Sequence, residues 1–242
     1  MIGVVGASGF IGGNLMRMLP SCVPVAPMHS ATEEISALST LLIAAPSSLK
    51  YSIEVNPLKD LDNILALSRS LEVFSRVDRV ILFSTIDVYR DIFSSDEDSE
   101  TLQSVSYGGN RAFLEERLRS IFPDLKILRI CGIYGQGMKK NLVFDIKNRR
   151  ELEVAKYSQE SKYQFVHIED VIQILSSELE ELPSVINLAS EPLAVSEILS
   201  RSQMIAGSED KITYNIRSKY FRTGYGFSKA YSLNRIWEFL DA

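Results

Sequence analysis

The chain begins MIGVVGASGFIGG, residues 1–13, where a short apolar run is followed at once by glycines in a G-x-x-G-x-x-G spacing. A helical pattern comes next, so the segment reads as strand, glycine turn and helix. Gly6 allows a tight turn, Gly9 lets a pyrophosphate approach the backbone, and Gly12 lets the helix pack closely on the strand. The N–H groups at the start of such a helix attract phosphate. These features predict a dinucleotide-binding turn formed by Gly6, Ser8, Gly9, Phe10, Ile11 and Gly12; the alternative is a glycine-rich turn without a ligand.

Composition limits the class of protein. The chain has 242 residues, of which 45% are hydrophobic, and a formal net charge of −5, which argues against general binding to nucleic acid or anionic membranes. It has no apolar run long enough for a membrane span and no signal-peptide pattern, so we expect a cytoplasmic protein. Cys22 and Cys131 offer neither a disulfide framework nor metal-ligand spacing, and no metal is expected.

Strands and helices alternate along the chain. After the first helix we predict a strand at 22–26, then buried strands at 40–45, 80–83, 126–131 and 185–188, and helices at 56–75, 106–122, 170–179 and 228–240. A short strand is also expected near 152–155. This order predicts an α/β protein with a doubly wound, Rossmann-like parallel sheet and a small C-terminal subdomain for substrate. We expect a dinucleotide-binding core over 1–135 and a substrate-binding portion over 136–242, interleaved with the core.

The choice between NAD and NADP depends on the end of the second strand, where an acid favours NAD and a base favours NADP. The chain offers Met28, His29 and Ser30 there, with neither an acid nor Arg or Lys. The missing acid favours NADP, with His29 and Ser30 as phosphate contacts; both can equally be solvated loop residues. Ala44 and Ala45 end the third strand, where small side chains leave room beside a cofactor.

Three side chains suggest hydride chemistry. Thr85 ends a central strand, and Tyr107 and Arg111 lie one turn apart on the following helix. A phenol has a reference pKa of about 10, so it needs a nearby cation to act as an acid or base near neutral pH. A threonine hydroxyl beside it can hydrogen-bond a substrate carbonyl or alcohol.

The whole set resembles the extended short-chain dehydrogenase/reductase family, in the branch that acts on nucleotide sugars. Residues 6–12 look like the cofactor loop of that family, 83–89 like its strand-end motif, and 107–111 like its Tyr-x-x-x-Lys pair. Residues 128–135 are similar to the loop that borders the nicotinamide, and 165–171 to a later structural signature. The resemblance covers nearly the whole chain.

The resemblance implies a role for each of these residues. Tyr107 would be the catalytic acid or base, Thr85 would orient the reacting oxygen, and Arg111 would hold the nicotinamide ribose and lower the pKa of Tyr107. Cys131 would border the nicotinamide. Thr85 and Asp87 would contact the substrate. Apart from the resemblance, Arg222 in a basic cluster and Asn141 after the glycine-rich loop are candidates to bind a diphosphate, although such a charge cluster is usually a solvated face.

The sequence departs from the family pattern at several positions. Arg111 replaces the lysine of the Tyr-x-x-x-Lys pair, and the two side chains are not equivalent. Ile86 and Asp87 stand where dehydratases of the family have an acidic pair, which argues against water elimination. Asp87 can still be a base near the sugar, or a surface carboxylate. Gly132 replaces an asparagine that often contacts the substrate phosphates.

These observations predict an NAD(P)-dependent oxidoreductase or epimerase for a nucleotide-linked sugar, with 4-keto reduction preferred to epimerisation. The alternative is a sensor or scaffold that binds the dinucleotide and has lost turnover. The resemblance also implies a homodimer formed through the helix at 106–122. We expect His167 to be a packed structural residue and Trp237 to anchor the last helix.

Overall fold

The computed structural model describes residues 1–26, 35–46, 48–179, 181–220 and 227–242. Their contacts divide the chain into two units. The first unit comprises Met1–Arg90, Glu100–Arg129 and Leu175–Ile186, and the second comprises Asp91–Ser99, Ile130–Ile174 and Asn187–Ala242. No helix in these ranges is both long enough and apolar enough to cross a membrane.

The predicted parallel sheet is present. Among the described residues, six strands form one sheet: β1 (Ile2–Val5), β2 (Cys22–Pro24), β3 (Thr40–Ile43), β4 (Arg79–Thr85), β5 (Lys126–Ile130) and β9 (Val185–Leu188). Their order is β2-β1-β3-β4-β5-β9 and the sheet is parallel. Strand β2 lies on one side of β1, and β3 pairs with β1 on the other side, with Val5 opposite Ile43. The chain order therefore reverses at β1, and ligands of such sheets bind at the carboxyl ends of the strands beside this point.

Four described helices of the first unit accompany these strands, and two of them begin at a capping side chain. Helix α1 (Phe10–Met18) follows the glycine turn, α2 (Lys50–Val55) follows β3, and α3 (Pro57–Leu71) begins after Asn56, whose side chain accepts the N–H of Lys59 at 3.2 Å. Helix α4 (Tyr107–Ile121) is capped in the same way by Ser106. Apolar side chains of the helices and the sheet form the core, among them Ile64, Leu71, Leu82, Leu114 and Leu118.

The second unit has shorter elements. Its strands are β6 (Gly132–Tyr134), β7 (Lys162–Tyr163), β8 (Phe165–His167) and β10 (Leu193–Ala194), paired as β6 with β8 and β7 with β10. Its helices are α5 (Leu142–Lys147), α6 (Glu151–Val154), α7 (Ile168–Glu178), α8 (Val195–Leu199) and α9 (Lys229–Asp241). A ring cluster of Tyr134, His167 and Phe239 packs edge to face between β6, β8 and α9.

Two local expectations differ from the structure. The strand expected near 152–155 is the helical turn α6, in which Leu152 is exposed and Val154 is buried. Glu151 and Glu153 lie in its first turn, where negative charge favours a helix. Helix α2 was not expected, because a helix of only six residues is too short to show a clear apolar period.

Candidate active site

The glycine turn has the geometry that its residue types predict. Gly6 has φ +82°, and a Cβ there would lie 2.5 Å from the carbonyl oxygen of Ala44. A Cβ on Gly12 would collide with the carbonyl of Gly6. Both positions therefore require glycine if the start of α1 is to lie against the ends of β1 and β3.

The tip of this turn is open. Ser8 and Gly9 are exposed, and no side chain caps α1 at Gly9. The amides of Phe10 and Ile11 lie in the first turn of α1, where they have no partner within the helix. This is the backbone arrangement that binds a pyrophosphate, and a Cβ on Gly12 would disrupt it. Ala44 follows β3 directly and its N–H donates to Val5 at 2.9 Å, so Ala44 and Ala45 lie beside the turn.

Thr85 and Tyr107 come together in the first unit. Thr85 is the last residue of β4, and Tyr107 is the first residue of α4, buried to 6% exposure. The Thr85 hydroxyl lies close enough to the Tyr107 phenol to lower the pKa of that phenol. Thr85 also accepts the N–H of Asp87 at 3.2 Å, and this bond fixes the turn after β4. The two side chains expected to contact the reacting oxygen therefore adjoin each other.

The environment of Tyr107 favours its protonated form. Burial raises the pKa of the Tyr107 phenol above its ordinary value. The positive charges of Arg111 and Lys50 lower this pKa and the carboxylate of Asp87 raises it, but burial has the largest effect. Arg111 therefore acts on Tyr107 in the expected direction, although the net shift is upward rather than downward.

Arg111 is held by another carboxylate. Its two terminal nitrogens lie 2.9 and 3.1 Å from the carboxylate oxygens of Asp60 on α3, and both side chains are buried. Asn110 donates to the same carboxylate at 2.9 Å. The guanidinium also lies 4.8 Å from the centre of the Tyr107 ring. Arg111 thus packs on Tyr107 as the cation of a buried ion pair.

Asp87 lies within the same group and has a partner that the sequence did not indicate. Its carboxylate receives the ammonium of Lys50 at 2.8 Å and lies 3.3 Å from the Thr85 hydroxyl. Glu54, one turn after Lys50 on α2, accepts the backbone N–H of Tyr107 at 3.1 Å. Both residues are in the unexpected helix α2, so no sequence motif marked them.

A buried network supports the turn that bears Thr85. Ser84 donates to Glu115 at 2.6 Å, and Arg129 on β5 binds Glu115 through both Nε and a terminal nitrogen. Arg129 also donates to the Tyr89 hydroxyl at 2.8 Å. Glu115, Arg129 and Tyr89 are all at most 5% exposed. Arg129 lies within the motif at residues 128–135, but that motif did not predict this role.

The remaining candidates lie elsewhere. Asn141 in the second unit caps α5, accepting the N–H of Phe144 at 3.0 Å and donating to Ile133 at 2.9 Å. The Cys131 thiol is buried, which raises its pKa to about 12. His29, Ser30 and Arg222 lie outside the described residues. The structure thus brings together Thr85, Asp87, Tyr107 and Arg111, while Asn141 and Cys131 belong to the other unit.

Two structural expectations can also be compared with the fold of the second unit. His167 is buried against the rings of Tyr134 and Phe239, as expected of a packed residue. Trp237 is half-buried on α9; its indole N–H donates to Ile198 at 3.3 Å and its ring lies 4.0 Å from the Arg201 guanidinium. Trp237 therefore joins the last helix to the segment around α8.

Known structures share this fold over the full chain. The sequence itself matches no protein-family model and no curated protein. TunA, an NAD-dependent NDP-hexosamine 5,6-dehydratase involved in tunicamycin biosynthesis, is 21% identical with a TM-score of 0.74, covering 100% of this chain and 99% of its own. The dTDP-4-dehydrorhamnose reductase of Yersinia enterocolitica is 13% identical, with a TM-score of 0.73 and coverage of 99% and 98%.

A UDP-N-acetylglucosamine 4-epimerase from Methanobrevibacter ruminantium M1, in complex with UDP-N-acetylmuramic acid, is 16% identical with a TM-score of 0.74 and coverage of 99% and 96%. These structural neighbours are extended short-chain dehydrogenases/reductases. The Rossmann-like fold that the sequence resemblance implied is therefore confirmed. The neighbours include a dehydratase, a reductase and an epimerase, so the fold they share does not by itself select one reaction.

Proposed function

We propose that this protein is an NAD(P)-dependent oxidoreductase acting on a nucleotide-linked sugar, and that its reaction is reduction of a 4-keto sugar. The observation that carries the proposal is that the Tyr107 phenol and the Thr85 hydroxyl lie close together at the carboxyl end of β4. Active sites of open parallel sheets lie at this edge. The glycine turn after β1 lies at the same edge, beside the point where the strand order reverses.

The glycine turn fits a dinucleotide. Gly6 and Gly12 have no space for a side chain, and the amides at the start of α1, which no side chain caps, can bind the pyrophosphate. A bound nicotinamide dinucleotide would supply the hydride. We favour NADP over NAD because His29 and Ser30 provide no carboxylate for a ribose 2′-hydroxyl.

Tyr107 and Thr85 would handle the proton. Thr85 would hydrogen-bond the substrate carbonyl oxygen and hold it near the phenol, and Tyr107 would donate its proton to that oxygen. A phenol of ordinary pKa already carries its proton near neutral pH, and burial, which raises the pKa of Tyr107, keeps it in that state. This state suits the reduction of a ketone, whereas an epimerase must first remove a proton from an alcohol. A protonated Tyr107 therefore supports the reductive direction, in which the phenol is the donor.

Further parts of the proposal follow from the resemblance and from the sequence pattern. Residues 1–135 would bind the cofactor and 136–242 the sugar, with Asp87, Asn141 and Arg222 as substrate contacts and Cys131 near the nicotinamide. We also propose a cytoplasmic protein that forms a homodimer through α4. Its partner is a small nucleotide-linked sugar rather than nucleic acid.

The ion pair of Arg111 supports a second candidate function. The guanidinium that the resemblance assigns to the nicotinamide ribose is bound at both terminal nitrogens by buried Asp60. If the Arg111 guanidinium stays bound to Asp60, the protein can bind the dinucleotide but convert substrate slowly or not at all. The second candidate is therefore a dinucleotide-binding sensor or scaffold.

Substitution of Tyr107 tests the enzyme proposal. We expect Tyr107→Phe to lower kcat by about 10²–10⁴-fold in NADPH oxidation with a panel of 4-keto sugar nucleotides, because the proton donor is removed. Tyr51→Phe is the matched control, since Tyr51 is 85% exposed, and it should retain full activity. Tight NADPH binding with no turnover of any panel member would support the sensor instead.

The cofactor that the purified protein carries distinguishes the reactions further. The protein is denatured and any released dinucleotide is identified by mass spectrometry. Near-stoichiometric NAD would support an epimerase, which regenerates its cofactor within each turnover. A protein that is empty and binds NADPH more tightly than NADH would support the reductase. Failure to bind either dinucleotide would remove the basis of both candidates.

A further inference from the structure

Helix α2 holds Tyr107 at two points. Lys50 and Glu54 are four residues apart and so lie on one face of this short helix. Glu54 accepts the backbone N–H of Tyr107 at 3.1 Å, and the Lys50 ammonium lies 5.8 Å from the centre of the Tyr107 ring. The same ammonium lies 2.8 Å from Asp87. One face of α2 is therefore directed at the residues that surround the phenol.

The stability of α2 does not explain a lysine at this position. Lys50 is the first residue of α2, where the helix dipole disfavours a positive charge. Helix α2 also has no capping side chain and no acidic residue in its first turn that could offset this charge. The contacts of Lys50 are instead with Asp87 and the Tyr107 ring. The position of Lys50 is therefore explained by its contacts with Asp87 and the Tyr107 ring and not by the stability of α2.

Arg111 is poorly placed to respond to a ligand. Its side chain and that of Asp60 are 6% and 8% exposed, and the two form a bidentate ion pair that Asn110 extends. Moving Arg111 towards a ligand would leave the Asp60 carboxylate buried without its cation, which is strongly unfavourable. The Lys50 side chain is 48% exposed and its pair with Asp87 is at the surface of the group. Lys50 can exchange partners at little cost.

We propose that Lys50 is a positioning residue for proton transfer by Tyr107, in the role that the resemblance assigns to the residue at position 111. Lys50 compensates the negative charge of Asp87 beside the phenol and contributes a positive charge of its own. The consequence for catalysis rests on the proposed reductase or epimerase activity. The electrostatic effect of Lys50 on the pKa of Tyr107 does not rest on that activity.

The charges that surround Tyr107 define the expected effect. Asp87 faces it from the turn after β4, Arg111 from α4 itself, and Lys50 and Glu54 from α2, while Asp60 on α3 acts through Arg111. Replacing Lys50 by an uncharged residue removes one positive charge and leaves Asp87 uncompensated. Both changes disfavour the phenolate, so the pKa of Tyr107 should rise.

The test is a titration that needs no turnover. Fluorotyrosine is incorporated in place of tyrosine, because its more acidic phenol titrates at a pH at which the protein is still folded. The signal of residue 107 is identified as the one that disappears in Tyr107→Phe. We expect Lys50→Met to raise the 19F NMR midpoint of this signal by about one pH unit. Lys50→Arg, which keeps the charge, should restore most of the shift. Lys59→Met, at an exposed lysine of α3, is the control and should leave the midpoint unchanged.

Kinetics then separate this inference from the proposed function. With a turned-over substrate, Lys50→Met should lower kcat about tenfold at neutral pH and change the KM for the dinucleotide less than about twofold, with recovery in Lys50→Arg. A midpoint that is the same in Lys50→Met and the unaltered protein overturns the inference whatever the activity. A shifted midpoint in a protein that turns over no substrate supports the electrostatic role and counts against the proposed function alone.

Discussion

At the scale of single residues, the glycines of the first turn differ in how much space surrounds them. A Cβ on Gly12 would collide with the carbonyl of Gly6, whereas a Cβ on Gly13 would meet only the carbonyl oxygen of Ala7, at an ordinary 3.6 Å. Substitutions at these two adjacent residues of α1 therefore distinguish the effect of close packing, present only at Gly12, from the effect of helix propensity, present at both.

We expect Gly12→Ala to lower the affinity for NADPH at least about tenfold and to reduce the free energy of unfolding by about 1–3 kcal/mol, because α1 must move away from β1. Gly13→Ala, the matched control, should be neutral or stabilise the protein by up to about 1 kcal/mol, since alanine favours helix. The measurements are a fluorescence titration with NADPH and urea unfolding. Equal effects of the two substitutions would contradict the close-packing argument.

The sequence predicted residues whose roles depend on local motifs and missed those that depend on distant contacts. Thr85 and Tyr107 follow from a strand end and a helix start, and they do come together. The partner of Arg111 is Asp60, which lies 51 residues away in the chain. Lys50 likewise reaches Asp87 across 37 residues. No local pattern contains such pairings, because tertiary packing creates them.

At the scale of elements, helix α4 connects the site to two ion pairs. Tyr107, Arg111 and Glu115 are spaced by four residues and share one face of the helix. Arg111 binds Asp60 on α3, and Glu115 binds Arg129 on β5. These buried pairs fix the rotation of α4 about its axis, and with it the direction of the Tyr107 side chain.

Removing one partner of the α3–α4 pair should be costly. Asp60→Asn leaves the Arg111 guanidinium buried without a counter-charge, and we expect the free energy of unfolding to fall by about 3 kcal/mol or more. Asp62→Asn, at an exposed position on the same helix, should change it by less than about 0.5 kcal/mol. Urea unfolding measures both values. A small effect of Asp60→Asn would show that Arg111 finds another partner.

The elements themselves were predictable where their patterns are long or distinctive. Helix α3 begins at the expected Asn56–Pro57 step, and α4 begins and ends within one residue of its predicted bounds. Helix α2 and the turn α6 were missed, since a segment of four to six residues does not distinguish a helical from a strand period. The missed α2 carries two contacts to Tyr107, so the prediction of the site was incomplete for the same reason.

At the scale of the whole molecule, the sequence specified the fold class but not the reaction. The order of strands and helices and the glycine turn led to the parallel sheet, and full-length structural neighbours share it. Those neighbours are a dehydratase, a reductase and an epimerase. In the proposed function, the choice of reaction rests on a few side chains around Tyr107, which the fold class does not determine.

The pH dependence of overall stability should depend on His167. Burial and the positive charge of Arg235 lower the pKa of His167 to about 4, and its Nδ1 accepts the N–H of Glu169 at 3.3 Å. An unfolded histidine has a pKa of about 6.5, so between about pH 6.5 and 4 the unfolded chain binds a proton that the folded chain does not. The free energy of unfolding should therefore fall as the pH decreases through this window.

The contribution of His167 to this slope is at most about 1.4 kcal/mol per pH unit. We expect His167→Gln to lower stability at pH 7 and to lose less stability than the unaltered protein between pH 7 and pH 4.5, as measured by urea unfolding at each pH. Carboxylates contribute to the slope in both proteins, so the informative quantity is the difference between them. A parallel pH dependence in the two proteins would assign the slope to other groups.

The network beneath Thr85 has a consequence for ligand binding. Arg129 is linked to residues before and after Thr85. It binds Glu115, which accepts the hydroxyl of Ser84, and it donates directly to the hydroxyl of Tyr89. Thr85 lies between these two fixed points, and Tyr89 pairs further with Thr101. In the proposed reaction, the hydroxyl of Thr85 would therefore already be in place before a substrate binds, and binding would not need to order this turn. Because the conformational entropy of this turn would not be lost on binding, the affinity for substrate or the rate of the reaction would be higher than with a mobile turn.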